Sequence, residues 1–184
     1  MIVLASASPR RKELLGQVVP EFIVDPADVD EEALTENDPR VTAEKLAIAK
    51  AIAVADRHPG ATVIGSDTVV AIDGVQLAKP LDAADAFRML STLAGRTHTV
   101  FTGVALVCNW TVDSFVESSD VTFRPISDDE IWAYIATGEP MDKAGAYGIQ
   151  AGGGTFIEHV EGLVSTVVGL PIERLSSLLT TADR

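Results

Sequence analysis

Short apolar runs alternate with longer stretches of helical periodicity along this chain, a pattern typical of α/β proteins. The runs are bounded by glycine, proline or acidic residues, as strands usually are. They predict strands at Ile2–Ala5, Glu21–Val24, Ala61–Ile64, Thr97–Val107, Thr111–Phe123 and Phe156–Val160, with a turn at Asn109-Trp110.

Helices are predicted between these strands. Val41–Ala55 has helical periodicity, with Thr42 or Asp38 as its cap. Further helices are expected at Asp82–Ala94, ended by Gly95, at Ser127–Ala136, opened by a capping box, and from Pro171 onward.

The first turn after the opening strand has an unusual charge. Ser8 and Pro9 predict a helix N-terminus, and Arg10, Arg11 and Lys12 follow directly. Cations are disfavoured there because the helix dipole is already positive. The run is explained either by an anion that binds the free N–H groups, the hydroxyls and the guanidiniums, or by a solvated basic turn.

Two charged residues interrupt apolar stretches. Lys50 lies in the helix Val41–Ala55, where it either snorkels to water or points at negative charge. Asp67 follows a buried strand, where it either caps a turn or is paired or bound to metal. The apolar face of the helix is expected to consist of Leu46, Ala49, Ile52 and Ala53.

Two loops complete the pattern. Asp73-Gly74 predicts a tight hairpin whose returning strand brings Lys79 back toward Asp67. The stretch from Gly138 to Gly154 is rich in glycine, which indicates either a flexible linker or a functional loop with unusual backbone angles.

Composition narrows the class of protein. With 184 residues and 47% hydrophobic content, we expect a single domain over 1–184 with a real core. The net charge of −13 argues against binding a nucleic-acid polymer. No apolar run is long enough for a membrane span, and the absence of a signal-peptide layout favours the cytoplasm. The lone Cys108 is interpreted as a small core residue.

The N-terminal motif resembles the Maf family of nucleoside triphosphate pyrophosphatases, whose pattern is a strand followed by S-x-S-P-R-R-x-E-L-L. The matching stretch runs from Ser6 to Leu15. Further blocks that resemble the family are Gly65–Val70, Lys79-Pro80 and Gly138–Gln150. The stretch Gly162–Thr166 departs from the family's Gly-Ser-Tyr-x-Asn, so no role is transferred there.

The resemblance implies an α/β fold with a long, twisted mixed sheet, flanking helices and two lobes around a cleft, related to inosine triphosphatase. It implies hydrolysis between the α- and β-phosphates, with Asp67 as the catalytic base. A divalent metal, Mg or Mn, would bind Glu31 and Asp67. The phosphates would contact Ser6, Ser8, Arg10, Arg11, Lys50 and Lys79.

The resemblance also implies which bases are accepted. Arg10, Thr68 and Gln150 match the subgroup that prefers dTTP and UTP. The alternatives are the subgroup that prefers 7-methyl-GTP, and a nucleotide-binding regulator of cell division with weak hydrolysis. The implied partner is a small nucleotide, with neither nucleic acid nor membrane. The oligomeric state is left open, a homodimer being one option.

Overall fold

The computed structural model describes residues 1–182, and side chains are described as far as Thr180. The strands are β1 (Ile2–Leu4), β2 (Ile23–Val24), β3 (Thr62–Ile72), β4 (Val75–Leu77), β5 (Thr97–Cys108), β6 (Thr111–Phe123) and β7 (Ile157–Glu161). The helices are α1 (Pro9–Gly16), α2 (Pro39–Ala55), α3 (Ala83–Leu93), α4 (Asp128–Ala136), α5 (Val164–Val168) and α6 (Ile172–Ala182). Short 3₁₀ helices cover Glu139–Asp142, Ala144–Ala146 and Gly152–Phe156.

Within residues 1–182 the strands form one seven-stranded mixed sheet in the order β2-β1-β3-β5-β6-β7, with β4 paired to β3. Strand β1 runs parallel to β2 and β3, whereas β3–β4 and β6–β7 are antiparallel. The predicted α/β class with a mixed sheet and flanking helices is confirmed.

The chain divides into two compact units. The first contains Met1–Thr68, Thr102–Glu117 and the stretch from Gly169, and the second contains Val69–Phe101 and Ser118–Val168. Strands β3, β5 and β6 contribute residues to both units. That a single domain spans the chain stays a prediction.

In the first unit, α2 packs closely on β3 and β5 because two glycines leave room for it. A Cβ on Gly65 would stand 2.2 Å from the Ala47 carbonyl oxygen, and one on Gly103 would stand 2.2 Å from the Ala43 carbonyl oxygen. No such contact is tolerated, so only glycine fits at either position. The buried stripe of α2 therefore carries mostly small side chains: Thr42, Ala43, Leu46, Ala47, Ala51 and Val54.

This stripe corrects the expected face of α2. Of the residues predicted to face the core, Leu46 is buried, but Ile52 is exposed, and Ala49 and Ala53 are half-buried. The predicted face is rotated about the helix axis from the observed one, which the close approach to Gly65 and Gly103 turns toward Ala43, Ala47 and Ala51.

The second unit has an aromatic core under α3 and α4. The His98 ring packs edge-on against Phe123 and Tyr147, with centroid distances of 5.0 and 5.4 Å. The His98 Nε2 atom and the Tyr147 hydroxyl are hydrogen-bonded at 2.6 Å. The Tyr134 ring meets the Phe156 ring edge-on at 5.1 Å.

Most predicted elements are confirmed, including Ser8 and Asp38 as caps, the hairpin at Asp73-Gly74 and the Ser127 capping box. One prediction needs correction, since Asp67 lies inside the continuous strand β3 and not at a strand end. The helix α5 (Val164–Val168) was not predicted. Cys108 is half-buried at the end of β5.

No helix in the described part of the chain combines the length and apolar character that a bilayer crossing requires.

Candidate active site

Lys50 forms the centre of a charged cluster in the first unit. Its ammonium lies 2.6 Å from Asp67 Oδ1 and 2.9 Å from Glu31 Oε1. Only 12% of the Lys50 side chain and 11% of the Asp67 side chain are exposed, whereas Glu31 is 52% exposed. Of the two alternatives for Lys50, the structure therefore selects the one in which it points at negative charge.

Burial dominates the electrostatics of Asp67. Desolvation raises the pKa of this carboxyl above its ordinary 3.8, although the charges of Lys50 and Arg11 act in the opposite direction and Glu31 adds to the rise. A carboxylate with a raised pKa is a better proton acceptor near neutral pH than an exposed one. Helix α2 packs closely on β3 because Gly65 has no side chain, and this packing brings Lys50 to the Asp67 carboxylate.

Helix α1 begins beside this cluster, with Ser8 as its N-cap and Pro9 as its first residue, as predicted. The Ser8 hydroxyl accepts a hydrogen bond from the Arg11 N–H at 3.4 Å, and the buried Ser6 hydroxyl accepts one from the Ser8 N–H at 3.2 Å. No acidic residue lies in the first turn. Among the side chains described, as far as Thr180, the Arg10 guanidinium has no hydrogen-bond or ion-pair partner, so it is available to a ligand.

Arg11, in contrast, is held by the protein. Its Nε donates to the Gly169 carbonyl at 2.8 Å, Nη2 donates to Thr68 Oγ1 at 3.0 Å and Nη1 donates to Ser6 Oγ at 3.4 Å. Burial lowers the pKa of this guanidinium from its ordinary value, and Asp67 opposes the shift. Arginine stays charged under such conditions. Three of its five N–H groups serve these contacts, which leaves two for another acceptor.

Three residues in this network were missed by sequence analysis. The Gly169 carbonyl accepts hydrogen bonds from both Arg11 and the Ser66 hydroxyl, the latter at 3.0 Å. The Thr102 hydroxyl lies 3.0 Å from Thr68 Oγ1. A Cβ on Gly169 would stand 3.3 Å from Arg11 Nε, at a φ of +127°. The position of Gly169 in Val-Val-Gly-Leu-Pro was the available signal, whereas Ser66 and Thr102 gave none.

Two predicted site residues belong to the second unit. Lys79 follows β4 and is exposed, and Gln150 is exposed in a turn. Within the part of the chain that the structure describes, neither side chain has a hydrogen-bond or ion-pair partner. The structure thus brings Ser6, Ser8, Arg11, Glu31, Lys50, Asp67 and Thr68 together in the first unit, and it describes Lys79 and Gln150 separately.

The carboxylates fit a divalent cation that is shared with phosphate. Glu31 and Asp67 converge on one cationic atom, the ammonium of Lys50. Among the described residues, no group of three or more His, Cys, Asp or Glu side chains could hold a metal. Mg²⁺ needs no such protein cage, because it is usually bound by one or two carboxylates together with substrate phosphates. The donor set of Glu31 and Asp67 is therefore suitable for it.

The fold is shared with Ham1 proteins. A solved Ham1 protein from Coxiella burnetii superposes with a TM-score of 0.53 at 17% identity, covering 98% of each chain. This likeness defines the class by fold alone, as a mixed-sheet α/β protein.

The sequence comparisons are more specific. The model of the Maf-like protein family matches residues 1–182, and the chain belongs to this family. A relative in Thermococcus onnurineus, named dTTP/UTP pyrophosphatase, is 52% identical over 94% of this chain and 93% of its own. A Bacillus cytotoxicus protein of the same name is 47% identical over 98% and 95%. The predicted family resemblance is confirmed.

Proposed function

We propose that this chain hydrolyses dTTP and UTP to the nucleoside monophosphate and pyrophosphate. The observation that carries the proposal is the largely buried Lys50–Asp67 pair, 2.6 Å apart, in a chain about half identical to proteins named dTTP/UTP pyrophosphatase. A buried lysine–carboxylate pair contributes little to stability by itself, so a role in binding and proton transfer explains why it is present.

The cations of the first unit bind the triphosphate in this proposal. The ammonium of Lys50 has three N–H donors, of which two go to Asp67 and Glu31, so one remains for a phosphate oxygen. Arg10 is unpartnered among residues 1–182, and Arg11 retains two N–H groups. Ser6, Ser8 and the N-terminal amides of α1 complete the phosphate contacts, and Lys79 adds a further cation.

Asp67 acts on the attacking water. Its carboxylate accepts a proton from the water as the oxygen bonds to the α-phosphorus, and the bond from the α-phosphorus to the bridging oxygen breaks. Pyrophosphate leaves with that oxygen, and Asp67 releases its proton to solvent. Asp67 is suited to this role by its geometry, because only 11% of its side chain is exposed and the Lys50 ammonium, 2.6 Å away, holds the carboxylate in place.

A divalent cation, Mg or Mn, belongs to the proposal. Glu31 and Asp67 would hold it, and its charge would neutralise the phosphate oxygens during displacement. The protein itself holds these two carboxylates at the ammonium of Lys50. Lys50 and the metal would then separate the carboxylates from the substrate phosphates and reduce the repulsion between them.

Base selection is assigned to Arg10, Thr68 and Gln150. The neutral amide of Gln150 offers a donor and an acceptor, which a uracil or thymine edge requires. A carboxylate there would instead suit the cationic 7-methylguanine. A site built for such hydrogen bonds rejects bases that leave them unmade. The proposal also places the protein in the cytoplasm, with a free nucleotide as its partner.

The test is a nucleotide panel with purified protein. Initial rates with dTTP, UTP, CTP, ATP, GTP and 7-methyl-GTP are measured in Mg or Mn, and products are separated to distinguish pyrophosphate from orthophosphate. We expect dTTP and UTP to be used fastest, one pyrophosphate to form per monophosphate, and activity to stop when the metal is chelated.

Each other outcome has a defined meaning. Faster turnover of 7-methyl-GTP than of both pyrimidines would overturn the base assignment and leave the enzyme class standing. Orthophosphate as the first product would overturn the class. Tight nucleotide binding without turnover would support the regulator instead.

A further inference from the structure

The glycine-rich segment around Gln150 is fixed at both ends by two side chains. Gln150 lies in a turn that follows Tyr147 and precedes the 3₁₀ helix Gly152–Phe156. The Gly148 N–H donates to the Tyr134 hydroxyl at 3.2 Å, and the Gly152 N–H donates to Glu139 Oε2 at 3.3 Å. The residue proposed to read the base therefore lies between two anchored amides.

The two anchors are joined to each other. The Tyr134 hydroxyl donates to Glu139 Oε1 at 2.8 Å, so the two carboxylate oxygens of Glu139 serve the phenol and the Gly152 amide separately. Burial raises the pKa of Tyr134, with the neighbouring Glu139 carboxylate as the next cause, so the phenol keeps its proton. The hydroxyl can thus donate to Glu139 and accept from Gly148 at the same time.

Packing holds the same segment. A Cβ on Gly153 would stand 2.9 Å from the Tyr134 hydroxyl oxygen, and one on Gly152 would stand 3.1 Å from Cε2 of its ring. The same Cβ on Gly153 would stand 2.5 Å from the Gly148 carbonyl oxygen, a backbone atom that cannot move aside. Glycine is therefore required at position 153, and the segment packs closely instead of forming a free linker.

The anchors themselves lie on a rigid base. Tyr134 is buried on α4, which is closed at its start by the capping box between Ser127 and Glu130. The Lys143 ammonium donates to the Glu139 carbonyl at 2.8 Å, which fixes the backbone that carries the Glu139 side chain. Orientation set on a helix in this way is more precise than orientation set by a loop alone.

We propose that Tyr134 and Glu139 are positioning residues for base selection, a proposal that rests on the proposed function. They hold the turn 148–152 in the one arrangement that presents the Gln150 amide to the base. Neither residue needs to touch the substrate. Their loss frees the turn, and Gln150 then binds pyrimidines less selectively, while binding of the phosphates is unchanged.

The variants remove single contacts. Tyr134→Phe deletes one hydroxyl, and Glu139→Gln replaces one of the two acceptors by a donor. Tyr147→Phe is the matched control, since it deletes a buried phenol that bonds His98 and not the turn. For each protein, kcat/KM is measured with dTTP and 7-methyl-GTP, and tripolyphosphate is used as an inhibitor that has phosphates but no base.

We expect the ratio of kcat/KM for dTTP to that for 7-methyl-GTP to fall about five- to tenfold in Tyr134→Phe and Glu139→Gln, the size of one lost hydrogen bond. The inhibition constant of tripolyphosphate should stay within about twofold of the wild-type value, which corresponds to a negligible change in binding free energy. In Tyr147→Phe the ratio should remain that of the wild type. The double variant Tyr134→Phe/Gln150→Ala should show no further loss beyond Gln150→Ala, because both act through one contact.

A ratio that falls in Gln150→Ala but stays unchanged in both anchor variants would overturn the proposal. Hydrogen exchange of the peptide that covers 148–152 provides an independent readout, and it should accelerate in Tyr134→Phe. Wild-type protein that turns over no nucleotide would instead overturn the proposed function, and the exchange experiment would still decide whether the anchors hold the turn.

Discussion

The Arg11 guanidinium donates a hydrogen bond to the Thr68 hydroxyl at 3.0 Å. The resemblance assigned these residues separate tasks, with Arg11 on the phosphates and Thr68 at the base. Their contact, extended to Thr102 Oγ1 at 3.0 Å from Thr68, makes Thr68 part of the support for Arg11. A change at Thr68 is therefore expected to alter phosphate binding as well as base choice.

Replacing Thr68 by valine tests this connection. The hydroxyl is lost at nearly constant volume, so the Arg11 Nη2 donor loses its acceptor. We expect KM for dTTP and the inhibition constant of tripolyphosphate to rise together by about tenfold or more, the lower end of the cost of one hydrogen bond to a charged group. Thr68→Ser keeps the hydroxyl and should restore both values. A tripolyphosphate constant unmoved in Thr68→Val would assign Thr68 to the base alone.

Arg10 and Arg11 should differ in their effect on stability. Arg11→Ala removes bonds to the Gly169 carbonyl, Thr68 and Ser6, so we expect a lower melting temperature together with weaker nucleotide use. Arg10→Ala removes a cation from a helix N-terminus and no partner in the described chain, so its melting temperature should hold or rise. Calorimetry and dTTP kinetics on both variants check this. Equal melting temperatures for the two would contradict it.

The spacing between α2 and β3 is tested by Gly65→Ala. The added methyl would stand 2.2 Å from the Ala47 carbonyl oxygen, so α2 must move and take Lys50 away from Asp67. We expect a loss of stability on the order of 3 kcal/mol, as for an overpacked core, and a large loss of activity. Gly16→Ala is the control, since its Cβ would have no neighbour nearer than 4.0 Å. Unchanged denaturation midpoints in both variants would contradict the packing argument.

Buried His98 predicts a dependence of stability on pH. Burial lowers its pKa from 6.5 to about 4, so the unfolded chain takes up a proton first as the pH falls. Neutral His98 contributes up to about 3 kcal/mol to the free energy of unfolding. This contribution is fully present above pH 6.5 and is lost as the pH falls toward 4. Urea midpoints between these pH values should fall less steeply in His98→Gln than in the wild type. In the control His159→Gln, which changes an exposed histidine, the urea midpoint should vary with pH as in the wild type. The same slope in the wild type and both variants would contradict the prediction.

Local signals predicted the elements well because they depend on near neighbours. Ser8, Asp38 and the Ser127 capping box are visible in sequence, and each forms the expected cap. The buried face of α2 was mispredicted since it is set by Gly65 and Gly103, which are distant in sequence. Helix α5 was missed because its valines favour strands, and tertiary packing overrides that preference.

The candidate site was predictable where a charge conflicted with its surroundings. Lys50 and Asp67 each interrupt an apolar stretch, and the structure pairs them. Residues that act through backbone atoms or neutral hydroxyls gave no such conflict. Thr102 and the Tyr134 hydroxyl are of this kind, and their roles became visible only in the folded structure.

In the proposed function, Asp67 is the base of a dTTP and UTP pyrophosphatase. The most direct test compares pyrophosphate release from dTTP by the wild type and by Asp67→Asn, with metal and substrate saturating and the fold checked by circular dichroism. The amide keeps the size of the side chain but accepts no proton, so we predict a loss in kcat of at least about 100-fold. Folded Asp67→Asn protein with near-normal kcat would contradict the account.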